Sequence, residues 1–268
     1  MSQKSAISFI FLALILLFHS CKDPVTQDPN PDPDPVDSIG DVNLWLTTDN
    51  EVYLHKKQLP INFSREIGDF TIVLDSTTTY QSIDGFGAAL TGSSAYLINQ
   101  LNSADRTPLL EDLFDPEKGI GINYLRITIG SSDFSIGTYS YCDQPDINQF
   151  AIPERDRNDL IPVLRQILAI NPDIKILASP WSAPAWMKAN NSMNGGSLKG
   201  KEVYNDFAEY FVKYVKAFEA EGIHIDAITI QNEPMHETGG YPTMKMLWEE
   251  QNEIIRDYLG PKFVANNI

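Results

Sequence analysis

The residues of this sequence that are best suited to chemistry are Asn232 and Glu233, which follow an apolar run at residues 225–230 and precede Pro234. Proline has no amide hydrogen and ends a regular inner strand, so the polar pair is predicted to lie where a short strand ends. A carboxylate in that place can act as an acid or base, and the adjacent amide can donate a hydrogen bond to it or to a substrate hydroxyl. The competing interpretation is a solvated strand-to-loop junction, because most carboxylates are exposed.

Two further candidates follow other apolar runs. Asp133 lies after residues 122–129, and Trp181 lies after residues 174–178. Carboxylates beside an indole ring suit a sugar, whose C–H face stacks on the ring while its hydroxyls bind carboxylates and amides. Taken singly, Asp133 is typical of a turn or cap and Trp181 of a core residue. The prediction of a sugar site therefore depends on their convergence with Glu233.

Short apolar runs alternate with helical patterns along the chain. This alternation is typical of parallel strands joined by crossover helices, and it fits both an open doubly wound α/β sheet and a (β/α)8 barrel. In a barrel, Asp133, Trp181 and Glu233 would meet at the carboxyl ends of the strands. Gly260-Pro261 predicts the end of the last helix. The predicted strands are residues 80–90, 122–129, 174–178 and 225–230, and the predicted helices are residues 103–114, 160–170, 202–221 and 244–259.

The first 78 residues form three predicted segments. Residues 1–21 have the short apolar run of an export signal and resemble a bacterial lipoprotein signal that ends at Cys21, the predicted lipidation site. Residues 22–40 alternate proline and aspartate and predict an extended, disordered tether. Residues 41–78 contain two strand-like runs, 42–48 and 70–74, of a small side β-domain. The protein is thus expected to be exported and lipid-anchored in a bacterial cell envelope or at the cell surface.

Composition excludes several classes of function. The formal net charge of −16 argues against nucleic acid and against a basic membrane-binding surface, because both require clustered Lys and Arg. The four His residues lack metal-ligand spacing, and neither a metal nor another cofactor is expected. The glycines of residues 84–92 lack a complete nucleotide fingerprint. They are interpreted as allowing close backbone approach at the first strand. The only predicted membrane contact is the lipid anchor at Cys21, and the oligomeric state stays open.

Five segments, taken together and in order, resemble glycoside hydrolase family 30, which includes glucosylceramidases and endo-β-1,6-glucanases. The resemblance implies a (β/α)8 TIM barrel with a side β-domain built from both chain ends. Residues 79–268 would hold about the first four β/α units of that barrel. The segments are Gln81-Ser82-Ile83-Asp84-Gly85-Phe86-Gly87, Asp133-Phe134-Ser135, residues 178–188 (ASPWSAPAWMK), Gly196-Ser197-Leu198-Lys199-Gly200 and Asn232-Glu233-Pro234.

The resemblance also implies residue roles. Glu233 corresponds to the acid/base of a retaining β-glycosidase, and Asn232 to its partner at the 2-hydroxyl of the sugar. Asp133 and Trp181 correspond to residues that bind the sugar before the scissile bond, and Arg126 to an arginine inside the barrel near the carboxylates. The nucleophile of the family is a second glutamate after the seventh strand, which is expected to lie beyond these residues. The 268 residues alone are therefore expected not to hydrolyse glycosides.

The implied substrate is a β-linked glucoside, either β-1,6-glucan or a glucosylceramide-like lipid. Two interpretations from other classes remain open at this point. The protein could be a surface protein that binds carbohydrate without cutting it. It could also be a structural cell-surface module in which the tryptophans belong to the core.

Overall fold

A computed structural model describes residues 40–69 and 71–268, which fall into two compact units divided after Leu74. The predicted signal, the lipidation site Cys21 and most of the predicted tether lie outside the described residues. Within the described ranges, every helix is too short or too polar to cross a membrane.

The first unit contains a small antiparallel ribbon. Its strands are β1 (Trp45–Leu46) and β2 (Lys56–Lys57), and an isolated bridge between Val42 and Ile61 extends the pairing. The Lys57 ammonium lies 5.6 Å from the centre of the Trp45 ring, a cation–π contact across the two strands. The run predicted at residues 42–48 therefore contains a strand, although a short one.

The strand predicted at residues 70–74 is not found in its described part. Residues 71–74 have no regular structure, and Ile72 and Val73 are 91% and 79% exposed. An apolar run forms a strand only where a neighbour pairs with its backbone, and no described strand does so here. Phe70 lies outside the described residues, and the side β-domain remains a prediction.

The second unit is a parallel sheet with helices between its strands. Its strands pair in chain order, β3-β4-β5-β6, and all three pairings are parallel, as sequential crossover connections require. The elements are β3 (Gly87–Leu90), α1 (Gly92–Gln100), α2 (Ser103–Phe114), β4 (Tyr124–Ile129), α3 (Glu154–Asn158), α4 (Leu160–Ile170), β5 (Lys175–Pro180), α5 (Tyr204–Ala220), β6 (Ala227–Ile228), α6 (Trp248–Glu253) and α7 (Gly260–Ala265).

Local sequence explains where several elements begin. Asn102 caps α2, because its side-chain oxygen accepts from the amides of Ala104 and Asp105. Thr91 caps α1 in the same way through the amide of Ser94, and no helical pattern had predicted this helix. The buried stripe of α5 packs onto the sheet and includes Phe207, Phe211, Tyr214 and Phe218.

The first strand of the sheet is shorter than predicted. The chain from residue 80 has no regular structure until β3 begins at Gly87, and most of these residues are exposed. A Cβ atom at Gly87 would lie 1.9 Å from the carbonyl oxygen of Tyr124 on β4, so only glycine fits there. The close backbone approach predicted from the glycines is therefore confirmed.

The last helix does not end at Gly260-Pro261, so that prediction is wrong. A π-helix at Ile254–Leu259 follows α6, and the chain continues without a break into α7. In the π-turn the amide of Gly260 donates to the carbonyl of Ile255, five residues back. This wider turn accommodates Pro261, which has no amide to donate and would crowd the preceding turn of an α-helix.

Candidate active site

The chain turns sharply at Glu233, five residues after β6, which is shorter (Ala227–Ile228) than the strand predicted at residues 225–230. The amide of Asn232 donates to the carbonyl of Pro180 at 2.8 Å, which ties this residue to the end of β5. Glu233 then adopts a left-handed conformation (φ 42°), which is uncommon for a residue with a side chain. Its carboxylate is exposed and receives no hydrogen bond within the described part of the chain. The predicted acid is thus presented to solvent by a strained turn.

Arg126 on β4 joins β5 to the segment that follows β6. Its Nη2 donates to Asn232 Oδ1 at 2.7 Å and to Ser179 Oγ on β5 at 3.1 Å. Burial lowers the pKa of Arg126, and the negative charges of Glu233 and Asp133 act in the opposite direction. The structure therefore places the guanidinium within electrostatic reach of both predicted carboxylates, and arginine remains charged there.

Trp181 is the first residue after β5 and is only 9% exposed. The guanidinium carbon of Arg126 lies 4.7 Å from the ring centre, so one face of the indole is already occupied by a cation. The carbonyl of Trp181 accepts from Gln231 Nε2 at 2.7 Å. The ring therefore supports Arg126 on one face, and its stacking on a sugar stays a prediction.

Asp133 lies at the tip of the loop that follows β4. Ser131 closes the base of this loop through paired hydrogen bonds with the backbone of Tyr139. The amide of Ser132 donates to Ser135 Oγ at 2.9 Å, which tightens the tip. The Asp133 carboxylate is exposed and has no hydrogen-bond donor among the described residues, so it is free to accept from a ligand hydroxyl.

A buried carboxylate holds this loop from below. Asp156 on α3 is 2% exposed and accepts from the hydroxyls of Tyr139, at 2.7 Å, and Tyr141. Burial raises the pKa of Asp156, while the two tyrosine hydrogen bonds oppose the shift. Tyr139 ends the loop that carries Asp133, so Asp156 fixes that loop to the helical layer. No sequence pattern identified this residue.

Replacing Asp156 with Ala is expected to lower the free energy of unfolding by about 2–5 kcal/mol, because two largely buried hydroxyls lose their acceptor. Denaturant unfolding of the complete polypeptide measures the change. Asp173→Ala, at an exposed carboxylate with no side-chain hydrogen bond in the described part of the chain, is the matched control. Equal unfolding midpoints for the two variants would show that Asp156 is not a structural anchor.

The described residues show no cluster of three or more His, Cys, Asp and Glu side chains that could hold a metal ion. The sequence did not identify Ser179, whose hydroxyl accepts from the same Arg126 nitrogen as Asn232. It also did not identify Gln231, whose amide oxygen is buried without a partner among the described residues. Ser179 belongs to one of the segments that resemble the family, and Gln231 directly precedes another. Their roles depend on contacts across strands, which the linear sequence does not reveal.

Parallel strands joined by helices, with polar side chains gathered at their carboxyl ends, define an α/β domain whose candidate active site lies at that edge of the sheet. Within this class the chain belongs to one family: residues 83–268 match the glycosyl hydrolase family 30 TIM-barrel domain. The α/β class, the parallel sheet and the resemblance found in the sequence are confirmed. The closed eight-unit barrel remains a prediction.

Similar proteins are glycosidases of two kinds. The endo-1,6-beta-D-glucanase BGN16.3 of Trichoderma harzianum is 37% identical over 209 residues, which are 71% of this chain and 42% of the relative. The lysosomal acid glucosylceramidase of Mus musculus is 35% identical over 201 residues, 71% of this chain and 39% of the relative. The solved structure of the endo-β1,6-glucanase BT3312 has a TM-score of 0.75 and 40% identity, covering 86% of this chain and 51% of that one. The chain thus spans about half the length of its relatives or less.

Proposed function

We propose that the complete polypeptide hydrolyses β-linked glucosides with retention of anomeric configuration and that Glu233 is its proton donor. The observation that carries this proposal is the Glu233 carboxylate itself. It is exposed, lacks a hydrogen-bond donor among the described residues, and lies within electrostatic reach of Arg126 at the carboxyl ends of the strands. Membership in a glycosyl hydrolase family supports the reaction class.

In the proposed reaction, protonated Glu233 donates to the departing glycosidic oxygen while a second carboxylate, about 5 to 5.5 Å away, attacks the anomeric carbon. Deprotonated Glu233 then activates water to release the sugar. We place the second carboxylate outside these 268 residues. Asp226 precedes β6 and is bound by Lys175 and by the amide of Ile176, and Asp133 has a short side chain on the tip of a loop. The 268 residues alone are therefore proposed to be inactive.

Asn232 is proposed to hold the 2-hydroxyl of the sugar. Arg126 can only donate, so the amide oxygen of Asn232 must face it and the amide NH2 must face away. That NH2 is then free to donate to the sugar or to the nucleophile. A hydrogen bond to the 2-hydroxyl that strengthens as positive charge develops at the anomeric carbon would stabilise the transition state.

We propose β-1,6-glucan as the substrate in preference to glucosylceramide. The chain is 40% identical to the BT3312 glucanase and 37% identical to the Trichoderma glucanase, against 35% to the mouse glucosylceramidase. Export and a lipid anchor at Cys21 are part of the same proposal. They would hold the enzyme at the surface, where a polymer is accessible, and loss of labelled lipid from Cys21→Ser tests the anchor.

The substrate proposal is tested by release of reducing sugar from β-1,6-glucan and of ceramide from glucosylceramide by the complete polypeptide. We expect kcat/KM to be at least about tenfold higher on the glucan, the discrimination that about 1.4 kcal/mol of transition-state binding provides. Preference for glucosylceramide would overturn the substrate and leave the reaction class intact. Binding of glucan without cleavage of any β-glucoside would favour the non-catalytic alternative, which none of the relatives described above supports.

A further inference from the structure

Lys188, which follows a short 3-10 turn after β5, is a completely buried lysine surrounded by neutral groups. Its side chain has no exposed surface, and its ammonium donates to Ser182 Oγ at 2.9 Å, to the carbonyl of Met193 at 3.0 Å and to the carbonyl of Thr243 at 2.6 Å. Among the described residues no carboxylate forms an ion pair with it, and Glu237 acts on it only through its charge. Burial of an unpaired charge is costly, so a lysine in this position requires an explanation.

The three acceptors belong to three separate segments that meet beside the candidate site. Ser182 directly follows Trp181, at the end of β5. Met193 lies in the segment between β5 and α5. Thr243 lies in the loop that begins at Glu233. A single ammonium thus connects the loop that carries Trp181 with the loop that carries the proposed proton donor.

Lys188 is one of several groups that anchor the Glu233 loop at its buried residues. Its base is closed where the amide of Met246 donates to the carbonyl of Pro234 at 2.8 Å, while its tip at residues 235–240 is mostly exposed. Thr243 is 3% exposed and also donates its amide to the carbonyl of Met193 at 3.1 Å. Lys188 therefore contacts this loop at its buried part and not at its exposed tip.

We propose that Lys188 is a positioning residue: its ammonium locks the Glu233 loop against the Trp181 loop so that Glu233 is held in place to protonate the leaving group. This inference rests on the proposed role of Glu233. A displacement of about 1 Å in a catalytic group can lower a rate by about 10²-fold. A lysine is suited to the task because its three N–H groups match the three acceptors.

The titration of Lys188 is expected to change stability and positioning in opposite directions. Burial lowers the pKa of Lys188 to about 8, and the charge of Glu237 opposes the shift. Between that value and the ordinary lysine value of 10.5 the unfolded chain binds the proton more tightly, so this group makes folding more favourable as the pH rises. The neutral amine, however, has only two N–H groups for three acceptors. The hydrogen bonds by which Lys188 holds the two loops together should therefore weaken over the pH range in which its contribution to stability increases.

The test compares Lys188→Met with Lys199→Met in the complete polypeptide. Lys199 is exposed in the same segment and its side chain has no partner in the described part of the chain, so it is the matched control. Two substrates are used: a β-1,6-linked glucose disaccharide, whose leaving group needs a proton, and 2,4-dinitrophenyl β-glucoside, whose leaving group does not. Lys188→Met is expected to lower kcat/KM by about 10²-fold on the disaccharide and far less on the aryl glucoside.

Glu233→Gln is measured beside it to separate the two proposals. If Glu233→Gln shows selective loss on the disaccharide and Lys188→Met lowers both substrates equally, Lys188 has a structural role only and the inference is overturned. If Glu233→Gln shows no selectivity, both proposals are overturned. If Lys188→Met does not fold, Ser182→Ala decides, because it removes one of the three acceptors of the ammonium: a selective loss on the disaccharide is expected, and equal losses on both substrates would overturn the inference.

Discussion

Replacing Glu233 with Gln is expected to lower kcat/KM on β-1,6-glucan by about 10²–10⁴-fold, the usual contribution of a positioned acid or base. Gln keeps the size and shape of the side chain but cannot supply a proton to the departing oxygen. The Glu233 carboxylate has no hydrogen-bond donor among the described residues, so the change should leave the fold intact. Thermal unfolding of the variant should therefore match that of the unaltered protein.

The effect of Glu233→Gln should depend on the substrate. An aryl glucoside with an acidic phenol needs little protonation of its leaving group, so its cleavage should be affected much less than that of the glucan. Glu249→Gln is the matched control, because Glu249 is an exposed glutamate on α6 with no partner in the described part of the chain. Equal losses in the Glu233 and Glu249 variants would remove Glu233 from the mechanism.

The second large effect is expected at Arg126. In Arg126→Met, Asn232 loses the donor that fixes its amide, and the oxygen and NH2 can exchange places. Loss of this preorganised hydrogen bond to the sugar should lower kcat/KM by about 10²–10³-fold, the effect of removing one well-placed donor in other enzymes. The measurement is kcat/KM on an aryl β-glucoside and on its 2-deoxy analogue.

The 2-deoxy analogue makes the Arg126 prediction specific. Because the analogue lacks the hydroxyl that Asn232 is proposed to hold, Arg126→Met should reduce its cleavage much less than that of the parent glucoside. Arg165→Met, at an exposed arginine on α4 paired with Glu221, should leave the ratio of the two rates unchanged. Equal losses on both substrates in Arg126→Met would show that Arg126 acts through the fold or through Trp181 and not through Asn232.

The positions of several helices and the parallel sheet could be predicted, because patterns of neighbouring residues determine them. The helices at residues 103–114 and 160–170 have the predicted bounds, since apolar periodicity acts within a few turns. The parallel sheet also followed from the alternation of strands and helices. From it came the placement of Glu233 in the segment that follows the fourth strand.

Contacts between distant segments were beyond sequence reasoning. Nothing in the spacing of residues predicts that Arg126 binds Asn232, 106 residues away, or that Lys188 reaches Thr243 across 55 residues. For the same reason the sequence did not show that a guanidinium from a neighbouring strand lies on one face of Trp181. The sequence also did not show that the helix continues past Gly260-Pro261, where a π-turn accommodates the proline.

The role of Glu233 as the acid/base of a retaining site can be tested by adding azide to the Glu233→Ala variant of the complete polypeptide with 2,4-dinitrophenyl β-glucoside as substrate. Once the sugar is bound covalently to the second carboxylate, azide can release it without help from a base. We predict that the rate rises with azide concentration and that the product is β-glucosyl azide. A rate that does not respond to azide, or an α-glucosyl azide product, would contradict the account.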